Sequence, residues 1–192
     1  MANVSDAKSI LEIYSHYVLN TSITFEVDVP TEEEMQERIA EVTGEYPYLI
    51  LEIDGKAVAF AYAHRYLARA AYRWNVQFSV YVDKDYCKHY HIGTALYTAL
   101  KKIVSLQNVQ NVYGLVADTN EKSFALHQKI GFKKLATYSK IGYKLGKWHD
   151  VAIFEMILGE HSVPVADFIS IADIDENIIE EILQECREMV NI

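Results

Sequence analysis

The sequence predicts an α+β fold built on a central mixed sheet, and three observations carry that expectation. Two amphipathic helical stretches come first, and a meander of three β-rich runs follows around Asp54-Gly55. The rest of the core then alternates strand and helix before closing on two strands. The chain has 192 residues, 51% of them hydrophobic and 23% charged, which suits one domain with an appendage. A chain of that size buries a sufficient core without disulfides or a structural metal.

Taken in order, Ser5 is positioned to cap a helix from about Asp6 to Leu19, with Ile10, Leu11, Ile13, Tyr14, Tyr17 and Val18 as its apolar stripe. Thr31-x-x-Glu34, after Pro30, is a capping box that opens a second, acidic helix to about Val42. Tyr48–Ile53 and Ala57–Tyr66 read as strands on either side of the Asp54-Gly55 turn, and Trp74–Val82 as a third. A polar loop from Asp83 to His91 leads to a helix from Gly93 to about Leu106. Asn111–Ala117 reads as a strand, and Asn120–Ile130 as a helix stopped by Gly131. Phe132–Tyr138 and Val151–Leu158 complete the strands. A strand, a polar loop and a glycine-led helix start in the middle of the chain suit an anion site on free backbone N–H groups, and equally an ordinary helix start.

Gly159–Ser162 and Pro164 mark a junction between a core of residues 1–158 and an extension of 159–192. From Asp173 to Ile192 there are seven acids and one base, Arg187, so the extension carries most of the net charge of −9. Ile174, Ile178, Ile182, Leu183, Cys186, Met189 and Val190 recur there at helical spacing, which predicts an amphipathic helix. Such a face reports burial without naming its partner, and docking on its own domain is the expectation ahead of a partner contact.

The negative charge disfavours nucleic acid and anionic membrane as partners. No apolar run is long enough to cross a bilayer, and the N-terminus lacks the apolar core of a signal peptide. Cys87 and Cys186 make no disulfide framework and read as reduced thiols of a cytoplasmic protein. His89 and His91 lack the converging ligands that a metal site needs, so no metal is expected.

Several segments together carry a more specific signal. Ile13-Tyr14-Ser15-His16-Tyr17-Val18, Thr24-Phe25-Glu26, Tyr46-Pro47-Tyr48 and Ala61-Tyr62-Ala63 are followed by Arg69-Ala70-Ala71-Tyr72-Arg73-Trp74 and Ser79-Val80-Tyr81-Val82. Then come Ile92-Gly93-Thr94-Ala95-Leu96-Tyr97, Ser123 through His127 to Gly131-Phe132, and Ile141 through Val151. In this order and spacing, residues 2 to 158 resemble the phosphinothricin and methionine sulfoximine N-acetyltransferases of the GNAT superfamily. The resemblance implies a three-layer α/β/α GNAT fold with a mostly antiparallel mixed sheet and helices on both faces. It also implies that the chain starts at the end of the family's first strand.

The resemblance further implies direct transfer of acetyl from acetyl-CoA to an amine, and commonly a homodimer. Pantetheine would lie along Ser79, Val80, Tyr81 and Val82, and the pyrophosphate on the loop Lys88, His89, Tyr90, His91, Ile92, Gly93 and Thr94. Asn120 would hold the pantetheine amide. His127 matches a histidine placed to donate a proton to, or hydrogen-bond, the departing sulfur, whereas by itself it reads as a core histidine. Arg69 is the expected carboxylate clamp for a small amino-acid-like acceptor, with Phe25 against it and Glu26 nearby, while Arg65, Arg69 and Arg73 read equally well as a solvated basic rim.

The chain departs from the family pattern twice. His91 stands where the phosphate loop has its first glycine, and the loop is one residue longer. Gln77 stands where the family has a glutamate that receives the amine proton; an amide orients a water or an amine but is no base near neutral pH. His64, on the adjacent strand, and Glu26 are the candidate substitute bases, although His64 reads first as a partly exposed strand histidine. The departures also raise a catalytically impaired CoA-binding or dimerising module, and an acetyltransferase for a different amine, as alternatives.

Overall fold

The computed structural model describes residues 1–87 and 91–190. Helices α1 (Ala7–Asn20) and α2 (Glu32–Thr43) precede strands β1 (Tyr48–Ile53), β2 (Lys56–Arg65) and β3 (Asn75–Val82). Helix α3 (Ile92–Leu106), β4 (Asn111–Ala117), α4 (Glu121–Ile130), β5 (Lys133–Lys144), β6 (Lys147–Ile157) and α5 (Glu176–Arg187) follow. The six strands form one sheet in the order β1-β2-β3-β4-β6-β5. Every neighbouring pair is antiparallel except β3 with β4.

Two cores make three layers. On one face, Ile10, Tyr14 and Val18 of α1 and Met35 and Ile39 of α2 pack on Tyr48 and Phe60 of the sheet. On the other, Leu100 and Ile103 of α3 and Ile179 and Cys186 of α5 share a core with Val76, Phe78, Val112 and Phe154. The acidic extension thus docks on its own chain, with α5 packed on α3 and Lys102 Nζ 2.6 Å from Glu185 Oε2 at the rim.

Local signals explain most element ends. Thr31 and Glu34 form the expected capping box, and Asp54 and Gly55 both take positive φ, the geometry of a two-residue hairpin turn. Three boundaries differ from expectation. Asn3, not Ser5, caps the N-terminus, opening a 3₁₀ turn over Val4–Asp6 that runs into α1. Ile174 lies in the link before α5 and not on its helical face. The last two strands form a much longer hairpin than the expected runs, closed by Leu145 and Gly146 at φ +50° and +78°. Leucine is not a turn residue by habit, and polar residues on both faces of this arm hide the β period.

Candidate active site

The site begins where β3 and β4 part. As parallel neighbours they pair only through Asn75 with Asn111, Val76 with Val112 and Gln77 with Tyr113. Beyond that point each strand continues along its outer neighbour, β3 to Val82 beside β2 and β4 to Ala117 beside β6. The sheet therefore opens into a fork at Gln77. Above it, the Ser22 hydroxyl lies 2.7 Å from that of Thr119, tying the segment after α1 to the turn after β4.

A groove of about 860 Å³ runs along the fork between β3, the start of α3 and the start of α4. Val80 and Val82 line it, whereas the Tyr81 ring turns to the opposite face and packs against Tyr14, Tyr17 and Phe60. Ser79 shares that opposite face, so only alternate side chains of the expected cofactor strand front the groove. The Val82 carbonyl already accepts from the Tyr17 hydroxyl at 2.5 Å and the Cys87 thiol at 3.3 Å. His16, Tyr17, Cys87 and Lys122 also line the groove. Sequence reasoning missed them because the strand and phosphate-loop motifs do not include them.

At its far end the groove meets the N-terminus of α3. His91 occupies the N-cap in the left-handed region (φ +52°, ψ +24°) and makes no side-chain cap, whereas Thr31 and Asn120 cap α2 and α4 with their side chains. The first N–H groups of α3 therefore face the groove without a side-chain acceptor from His91, as an anion site requires. His91 thus supplies, at some conformational cost, the backbone shape that a glycine supplies freely. Gly93 has a second constraint, because a Cβ there would come within 3.0 Å of Leu126 Cδ2. Asn120 lines the groove while its Oδ1 accepts from Ser123 N at 3.1 Å. Lys88, His89 and Tyr90 lie outside the described residues.

The opposite face of the sheet holds a second cavity, also about 860 Å³, between α2 and strands β1 and β2. Its floor is aromatic: Tyr48 stacks on Tyr62 with ring centroids 4.8 Å apart, and Phe60 lies beside both. Arg38 and Arg65 stand on its walls, paired with Glu26 at 2.7 Å and Glu45 at 2.8 Å. Glu26 is thus held by a guanidinium. Burial pushes the Tyr14 phenol up to about 12, and its oxygen lies 2.8 Å from the Thr24 hydroxyl. His64 lies on the wall, directly opposite Gln77 in the β2–β3 register.

Three candidates sit differently from expectation. His127 is 2% exposed, with Nδ1 2.7 Å from the Ser123 carbonyl and Nε2 3.1 Å from the Tyr97 hydroxyl. Burial pushes its pKa down, so its ring is neutral near pH 7. It lies behind β4 against Gly114, where a Cβ would come within 2.3 Å of Nε2, and it does not line the groove. The aromatic packing around Phe132 and Phe154 that buries it was invisible as a contact in the sequence. Phe25 packs over Gly142 and beside His149 on the β5–β6 hairpin in place of Arg69. Arg69 is exposed, just before the 3₁₀ turn Ala70–Tyr72, while its neighbours Arg65 and Arg73 engage Glu45 and the Trp74 ring.

The Thr24–Glu26 segment is anchored to that hairpin. Lys144 Nζ donates to the Thr24 carbonyl at 2.8 Å, and buried His149 lies between Asp118 Oδ1 and the Lys144 carbonyl. Among the described residues no group of three or more His, Cys, Asp or Glu side chains is placed to hold a metal. No helix among them is long and apolar enough to cross a membrane.

Comparison with known proteins places this geometry. The phosphinothricin N-acetyltransferase of Streptomyces viridochromogenes is 30% identical over 154 residues, covering 80% of this chain and 84% of that one. The methionine sulfoximine/methionine sulfone acetyltransferase of Salmonella typhimurium is 28% identical, covering 86% and 96%. Among solved structures, a phosphinothricin acetyltransferase of Sinorhizobium meliloti in complex with acetyl-CoA superposes with a TM-score of 0.80 at 33% identity, covering 84% of this chain and 88% of that one. The family described as the acetyltransferase (GNAT) domain matches residues 1–153. With its forked sheet and uncapped α3 N-terminus, this chain belongs to the GNAT acetyltransferase family.

Proposed function

We propose that this protein is an acetyl-CoA-dependent N-acetyltransferase acting on the amine of a small amino-acid-like acceptor. The observation that carries this reading is the fork after Gln77 and Tyr113, with a groove on one face and an aromatic, charged cavity on the other. The relatives named for phosphinothricin and methionine sulfoximine supply the acceptor class.

The residues present suit acetyl-CoA. The open edge of β3 at Val80 would pair with the pantetheine amides as an added strand does. The N–H groups at Ile92, Gly93 and Thr94, with the helix dipole behind them, would hold the pyrophosphate, helped by Lys88 and the loop through His89 and Tyr90. Asn120 would present its amide to the pantetheine. The thioester then lies in the fork, and an amine arriving from the cavity face attacks its carbonyl carbon. Gln77 orients that amine or a water beside it. His127, behind Gly114, acts through Tyr97 and β4 as a positioning residue. Arg69 would clamp the acceptor carboxylate, with Phe25 and Glu26 shaping the far wall.

Residues 1–158 form the catalytic domain in this reading, and the acidic extension 159–192 braces α3 through α5. The protein acts in the cytoplasm, with Cys87 and Cys186 as free thiols. It works as a homodimer through the β5–β6 arm, where Leu135, Ile141, Tyr143 and Trp148 are each more than half exposed. Light scattering on the wild type and Trp148→Glu tests that interface; a wild-type monomer at micromolar concentration refutes it. Calorimetry with acetyl-CoA, then thiol release over a panel of amino acid analogues and polyamines, tests the activity. Binding with no turnover would favour the impaired module.

A further inference from the structure

We infer that His64 is the proton acceptor of the transfer, a role resting on the reading of this site as an amine acetyltransferase. Acylation of an amine releases a proton on the acceptor side of the thioester, and the side chain at the fork there, Gln77, cannot take it. His64 pairs directly with Gln77 across β2–β3, which puts the two Cβ atoms about 5 Å apart on one face. His64 also lines the acceptor-side cavity. Its Nδ1 lies 3.1 Å from the Arg65 carbonyl, an acceptor, so the proton belongs on Nδ1 and the lone pair on Nε2.

Apart from Glu41, which faces His64 from α2, the other titratable groups on this face are committed. Glu26 is paired with Arg38, and Glu45 with Arg65. The Tyr46, Tyr48 and Tyr62 phenols are pushed up by burial and stay protonated. Tyr66, also pushed up by burial, stacks on Tyr113. Glu41 faces His64 from α2 and raises its basicity somewhat, but burial outweighs it and holds the imidazole below its ordinary value. The ring is therefore neutral and ready to accept near pH 7.

The step balances without a further reactant. The neutral amine forms the N–C bond, and its nitrogen, now a strongly acidic ammonium, passes its proton to Nε2 directly or through one water. The C–S bond breaks with its electron pair on sulfur, and the imidazolium proton is released to solvent as the CoA thiolate is protonated.

The test is the pH dependence of kcat/KM for the wild type, His64→Gln and His64→Gln/Gln77→Glu, with acetyl-CoA affinity and Tm measured alongside. For the wild type, log kcat/KM rises with unit slope below the amine pKa and steepens toward two below the His64 pKa, under pH 6.5. In His64→Gln the steepening vanishes and kcat/KM falls by about 10² or more, while acetyl-CoA still binds. Gln77→Glu then restores at least tenfold by offering a carboxylate at the paired position. A nitrogen-15 titration of the wild type shows the Nδ1-protonated form. A His64→Gln variant within threefold of wild type, a loss with the steepening unmoved and no rescue, or an Nε2-protonated ring would each overturn the assignment. A wild type that binds acetyl-CoA but acetylates nothing in the panel instead brings down the acetyltransferase reading itself.

Discussion

The groove beside α3 and the cavity under α2 enclose the same volume, about 860 Å³, yet they are made of different material. What the groove offers a ligand for hydrogen bonding is chiefly backbone: an open strand edge, a left-handed turn at His91 and two helix N-termini. The cavity is mostly side chain: stacked tyrosines and two arginine–glutamate pairs. A backbone site survives substitution wherever the replacement keeps the φ and ψ that the site needs, which is how His91 occupies a position that favours glycine. A side-chain site changes its chemistry with each residue, which is how Gln77 shifts the proton acceptor elsewhere.

The sharpest way to break that contrast is Gly93→Val, which adds bulk against Leu126 at the backbone proposed to hold the pyrophosphate. Hydrogen bonds to a charged group contribute about 1.5–3 kcal/mol each, so losing one weakens acetyl-CoA roughly tenfold to a hundredfold. Calorimetry giving an affinity within twofold of wild type would mean that the groove does not read phosphates through this helix end.

On the other side, Arg69→Lys keeps the charge and loses the planar fork. KM for an acceptor carboxylate rises about tenfold with kcat little changed, and acetyl-CoA affinity is untouched. An amidated acceptor shows no such penalty. Equal losses on acid and amide would move Arg69 to a solvated rim.

Gln77→Glu in the wild-type background raises the rate at pH 7 only a few-fold if His64 already accepts the proton, against the general-base range of about 10² to 10⁴. A gain of that full size would show Gln77 to be a vacated base position with no substitute beside it. Steady-state rates from pH 6 to 9 decide.

His91→Gly removes a left-handed penalty of about 1–2 kcal/mol and adds glycine's unfolded-state entropy, leaving a net gain below about 1 kcal/mol. Tm rises by a few degrees and acetyl-CoA affinity shifts by less than threefold, if backbone shape is what matters here. The smallest effect is on stability against pH. His64 and His127 both have folded-state pKa values lowered by burial, so the stability they contribute is present above the unfolded value near 6.5 and lost as pH falls through the folded values. Tm therefore declines from pH 7 toward 5, and His127→Gln flattens part of that slope; a flat wild-type profile would show both rings to be solvated.

The sequence by itself determined what a few adjacent residues settle. Thr31 with Glu34 starts α2, Asp54-Gly55 turns β1 into β2, Gly131 in the left-handed region ends α4, and the order of segments marks the family. Each is a local rule acting within about four residues, so reading it needs no knowledge of the rest of the chain. Only the tertiary structure decided that β3 and β4 part after Gln77 and that the His64 and Gln77 positions coincide across two strands. It alone also chose the core reading of His127 over the site reading, and put Phe25 on the hairpin. Those outcomes depend on strand register and on packing between residues tens of positions apart, which one-dimensional spacing does not encode.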